Sequence, residues 1–66
     1  MRFIMNREDD TLYFRLDESA IAESEAVQPG VILDFDKDGR VVGVEFLGIR
    51  TRIPEEELTS FQFQTS

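Results

Sequence analysis

The chain has 66 residues, 14 acidic against 7 basic side chains, a net charge of −7, and neither cysteine nor histidine. That composition excludes disulfides, thiolate and imidazole metal ligands, and catalysis by cysteine or histidine, while the negative field repels nucleic-acid phosphates and anionic membranes. A single domain over residues 1–66 is implied, near the size at which a chain hides only ~60% of its unfolded surface, and self-association is the simplest way for it to bury more.

Arg2 to Asn6 is a short apolar segment, followed by a charged loop through Asp10. Leu12, Phe14 and Leu16 then alternate with Tyr13 and Arg15, the period-two signature of a half-buried strand, so the first two strands are predicted to form a hairpin. Between Asp17 and Gln28, small and acidic residues predict an exposed edge strand with Ile21 and Val27 turned inward, its charge discouraging pairing with another sheet. Pro29 and Gly30 suit the two central positions of a type II turn.

Val31 to Phe46 reads as the central β-hairpin, two β-branched runs around Asp36-Lys37-Asp38-Gly39. A type I turn with a bulge at Gly39 pairs Phe35 with Val41 and Asp34 with Val42; a two-residue turn pairs Phe35 with Arg40 and Leu33 with Val42. The sequence leaves both registers open, and a one-residue slip exchanges the faces. The same stretch fits the calcium-loop pattern through Asp34, Asp36, Asp38, Gly39 and Glu45. A true loop lies between helices, whereas these flanks alternate like strands. Asp34 opposite Val41 or Val42 leaves Glu45 roughly 10 Å or more away at the ~3.4 Å rise of a strand, too far to close a cage. A solvated acidic turn is the favoured reading, and no metal ligand is assigned.

Gly48 suits a bend, and Ile49 to Ile53 alternates again as a further strand. Pro54 opens one short helix to about Thr59, with Glu55, Glu56 and Glu57 in its first turn, where they complement the helix dipole, and with Leu58 facing inward. Phe61 to Gln64 alternates once more, as a strand that joins this sheet or reaches a neighbouring subunit.

No catalytic residue is assigned. Asp9 with Asp10, and the Glu55 to Glu57 run, sit where carboxylates are solvated. Ser19, Ser24, Ser60 and Ser66 have no histidine to activate them. Tyr13 is a functional phenol or, more in keeping with a strand face, a packing or interface residue. Arg50 and Arg52 are expected to pair with the Glu55 to Glu57 run, within or between subunits. Met1 to Asn6 is too short for a signal peptide and no apolar run approaches a membrane span, so a cytoplasmic location is expected.

The segments D-x-L-Y-x-R-L at Asp10–Leu16, P-G-V-I-L-D-F-D-x-D-G at Pro29–Gly39 and V-G-V-E-F-L at Val42–Leu47 resemble the small prokaryotic family known as domain of unknown function 2283. The resemblance implies a compact, mostly antiparallel β domain, expected as a dimer, with no assigned catalytic residues to carry over, and an antitoxin-like role beside a neighbouring gene product is a further expectation. This chain departs from the pattern at Asn6 and in its glutamate- and phenylalanine-bearing tail.

The expected fold is mainly β (α+β), an antiparallel sheet or meander of about five strands with one short C-terminal helix, as a homodimer. The leading functional expectation is a non-enzymatic protein–protein interaction module that uses no cofactor and meets a basic partner through Glu23, Glu25 and Glu55 to Glu57. The rivals are a metal-responsive or hydrolytic protein using Asp34, Asp36, Asp38 and Glu45, and a purely structural homo-oligomer.

Overall fold

Each alternating run predicted up to Phe46 becomes a strand in the computed structural model, which describes Met1–Ser66. The elements are β1 (Arg2–Asn6), β2 (Thr11–Arg15), β3 (Glu23–Gln28), β4 (Val31–Phe35), β5 (Val41–Leu47), α1 (Ile49–Arg52) and α2 (Glu55–Leu58). All strands join one antiparallel sheet in the order β1-β2-β5-β4-β3. It is therefore not a simple meander, because β5 is inserted between β2 and β4. The segment Leu16–Ala22 carries the chain past the end of the sheet to its far edge. Backbone bonds tie it there: the Leu16 and Asp17 N–H groups donate to Val42 O at 2.7 and 3.3 Å, and that of Ala22 donates to Phe35 O at 2.8 Å.

The central hairpin keeps the bulged turn and the Phe35–Val41 pair of the first expected register, and neither pair of the second forms. Gly39 has φ +79°, its N–H donates to Asp36 O at 3.0 Å, and Phe35 pairs with Val41, as the bulged type I turn requires. A second irregularity then leaves Val42 without a partner, so Asp34 faces Gly43, not Val42 or Val41, and Leu33 faces Val44. This shift puts Leu33 and Val31 on the face of Val44 and Phe46.

Cross-strand register then sorts the side chains. Phe3, Phe14, Val44 and Leu33 form one apolar row, and Met5, Leu12, Phe46 and Val31 a second row on the same face. Ile49, Ile53 and Leu58 from the C-terminal segment lie against part of the second row. Cover is incomplete. Val31, Val42 and Ile49 are the buried hydrophobic residues, and no large side chain is fully buried.

The C-terminal segment differs most from expectation. It holds two short helices, not one, and Ile49–Arg52 is helical although its pattern suits a strand. Gly48, in the left-handed region at φ +65°, turns the chain out of the sheet. The freed Ile49 N–H then donates to Asp10 O at 3.1 Å, and the Arg50 N–H to Asp10 Oδ1 at 3.1 Å, so the β1–β2 turn satisfies donors that a strand would have offered a neighbour. Phe61–Gln64 forms no strand; the Phe61 ring instead lies 4.7 Å from that of Phe3. The edge strand β3 is exposed at every position, and Ile21 and Val27 point to solvent, Val27 being displaced by a bulge between Ala26 and Gln28. No helix is long and apolar enough to cross a membrane.

Candidate functional site

The second face of the sheet is polar at its centre. Because Asp34 faces Gly43, and Gly43 faces Arg15, three strands bring Arg15, Asp34 and, from β3, Ser24 into one row, with Tyr13 beside them. The Tyr13 hydroxyl donates to Asp34 Oδ2 at 2.7 Å and accepts from Arg15 Nη1 at 3.2 Å. Ser24 Oγ donates to the other Asp34 oxygen at 2.6 Å. Arg15 Nε donates to Asp17 O at 2.5 Å and Nη2 donates to Ser19 O, fastening the crossing segment to the sheet. Gly43 makes the row feasible, since a Cβ there would run into the Tyr13 hydroxyl that lies across it.

Arg15 and Asp34 are each only 8% exposed, which for charged residues requires the full set of partners described. Burial, then the bond to Asp34, push the Tyr13 phenol above its ordinary pKa, the opposite of what an activated phenolate needs. No buried polar side-chain atom in the chain lacks a hydrogen bond. The network is self-satisfied: its strong donors and acceptors are directed at one another or, for Arg15, at the Asp17 and Ser19 carbonyls of the crossing segment, so its chemistry is that of a lock between strands.

The acidic turn is organised differently from a cation loop. Asp36, 7% exposed, accepts the Asp38 and Arg40 N–H groups on Oδ1, both at 2.9 Å, and Arg40 Nε on Oδ2 at 3.3 Å. The Arg40 backbone bond leads the interactions that hold its carboxyl below the usual range. Arg40 Nη2 also reaches Asp38 at 3.3 Å, so the chain supplies its own cation to this pair. Asp34 is engaged by Tyr13 and Ser24, and Glu45 lies opposite Tyr13 and Ile32. No group of three acidic side chains comes together in a way that would hold a metal ion. Because Asp34 faces Gly43, Glu45 is two residues along the strand, roughly 7 Å, nearer than the sequence implied.

The remaining expected residues are spread around the rim. Glu23 and Glu25 lie on exposed β3, opposite Phe35 and Leu33. Glu55, Glu56 and Glu57 form the first turn of α2. Arg50 and Arg52 do not pair with them: Arg50 Nη2 donates to Arg7 O at 3.2 Å, and Arg52 donates to Leu47 O at 3.2 Å and Pro29 O at 2.6 Å. The basic residue near α2 is Arg7, 3.8 Å from Glu55 across an exposed gap. Asp9 accepts from Asn6 Nδ2 at 3.2 Å, and Asp10 supports α1. Ser19 donates its N–H and hydroxyl to Asp17 at 2.7 and 2.6 Å, whereas Ser60 and Ser66 are exposed. Between the crossing segment and the acidic turn lies an open cleft of about 390 Å³ lined by Ser19, Ile21, Asp36, Lys37 and Arg40 among others.

Sequence reasoning missed the Arg15–Tyr13–Asp34–Ser24 row. The one signal that points to it is the glycine at position 43 inside a β-branched run, the usual mark of a close approach.

Residues 6–50, more than half of the chain, match the family model for proteins of unknown function DUF2283, and the chain belongs to that family. No curated protein and no solved structure matches it.

Proposed function

We propose that this DUF2283 protein is a non-enzymatic interaction module that adds a basic partner strand to its β3 edge. The observation that carries this reading is β3 itself, one of the two edge strands of the sheet and, unlike β1, exposed at every position, along all six residues from Glu23 to Gln28. An edge strand offers unpaired backbone donors and acceptors to an extended segment. Glu23 and Glu25 share one face of that edge, spaced so that lysine or arginine at alternate positions of an incoming strand would meet them. The net charge of −7 draws such a partner in and slows approach by acidic competitors. The self-satisfied polar row suits this role, because it stiffens the sheet without consuming the edge. The cysteine-free composition suits the cytoplasm, where this reading puts the chain.

The test is binding of a fluorescent peptide alternating lysine and valine, followed by anisotropy across a salt series. Binding that weakens with salt and is lost in the Glu23→Lys/Glu25→Lys double variant is expected. Equal affinity of that variant, or of an alternating glutamate and valine peptide, would refute the reading. The product of the adjacent gene is the natural protein to try next in the same assay.

A further inference from the structure

We infer that the apolar face of the sheet is covered by a second copy of this chain, packed over the row Phe3, Phe14, Val44 and Leu33 and gripped by Phe61 and Phe63. This inference is independent of the β3 edge.

A sheet with one apolar face is stable when another layer lies on it, and here the intramolecular layer consists of two four-residue helices. Those helices lie over the row of Met5, Leu12 and Phe46, leaving the row of Phe3, Phe14, Val44 and Leu33 only partly hidden. The tail adds apolar surface without hiding itself: Phe61 is 65% and Phe63 70% exposed. With Met1, Phe3 and Phe14 they line an open groove of about 300 Å³. Phe3 and Phe14 stand edge to face at 6.1 Å, and Phe61 tilts onto Phe3, so the aromatic side chains already form a continuous patch.

Area argues for a copy of comparable size. The chain exposes 5028 Å², whereas a monomer of its 7.6 kDa mass is expected to expose about 4,300 Å². The surplus, roughly 700 Å², approaches the ~800 Å² that each partner contributes to a standard interface. Charge argues for the same occupant. None of the groove residues is acidic, and its one charged member, Arg2, is held by Glu18 at 2.7 Å, so two chains of net charge −7 can meet there without acid facing acid.

Sedimentation equilibrium of the full chain tests this. The wild type is expected at twice the chain mass at micromolar concentration. The Phe61→Ser/Phe63→Ser variant, altered outside every strand, should dissociate with a roughly tenfold or greater weakening. Its far-ultraviolet circular dichroism should match that of the wild type, separating lost association from lost folding. Ile4→Ser, which removes an exposed apolar side chain from the opposite face, should remain dimeric. A wild type that sediments as a single chain overturns the inference, and so does a tail variant that dimerises as tightly as the wild type. Dissociation by Ile4→Ser alone would assign the interface to the other face and overturn it equally.

Discussion

Gly43→Ala tests the polar row at its tightest point. The added Cβ would collide with the Tyr13 hydroxyl and lie 3.0 Å from Cζ and 3.1 Å from Asp34 Oδ2. The phenol must swing aside, and in doing so keeps at most one of its two bonds to charged partners. One such bond is worth about 1.5–3 kcal/mol, and residual overpacking adds about 1 kcal/mol. The alanine returns about 0.4–1 kcal/mol by restricting the unfolded chain. The net loss is about 1.5–3.5 kcal/mol, a large part of the roughly 3–10 kcal/mol expected for a chain of this length. Thermal unfolding should fall by roughly 6–28 °C, at about 4–8 °C per kcal/mol for a domain of this size. Urea denaturation of all variants at one fixed protein concentration gives the free energies. In a Tyr13→Phe background the obstructing oxygen is gone, so the same glycine substitution should cost less by at least about 1 kcal/mol. A Gly43→Ala protein within about 0.5 kcal/mol of wild type, or equal costs in both backgrounds, would refute the collision argument.

Tyr13 is the sole tyrosine and there is no tryptophan, so ultraviolet difference absorbance follows its ionisation cleanly. Its folded pKa is raised, so its contribution to stability is fully present below the ordinary tyrosine value and is lost as pH climbs through the folded one; a phenol titrating at or below pH 10.0 would contradict this. Asp34→Asn should bring that titration down towards the ordinary value. At the acid end, the depressed carboxyl of Asp36 contributes stability above its unfolded pKa, near 3.8, that fades as pH falls through the lower folded value. Asp36→Asn should therefore destabilise the protein at neutral pH and flatten the dependence of its melting temperature on pH in that acid range, and an unaltered slope would count against it.

Much of the sheet was legible because each strand carries its own local signal. Leu12 to Leu16 alternates, Gly30 and Gly39 supply the positive φ their turns need, and Glu23 and Glu25 mark an edge. The bulge at Val42 was not legible: its neighbours are equally β-branched, and the shift is decided by where Leu33 finds cover, a tertiary matter. That shift is what sets Asp34 beside Tyr13, so the polar row was hidden along with it. Ile49 to Ile53 misled for a related reason. Its pattern suits a strand, but the left-handed Gly48 and the acceptors offered by Asp10 turn it into a helix. The calcium-loop pattern was discounted on its strand-like flanks, and the distance argued for Glu45 assumed the wrong partner for Asp34, which faces Gly43.

The central place of β5 also bears on the order of assembly. β1 with β2, and β3 with β4 and β5, each pair through short connections, whereas the β2–β5 ladder must close over everything between them. Hairpins form in about 1–10 μs, so each half can find its own register before the two meet. The entropy of loop closure then falls on a single seam, from Thr11–Leu47 to Arg15–Gly43. On a ribosome, the N-terminal hairpin waits with its inner edge bare until the last strand has been made.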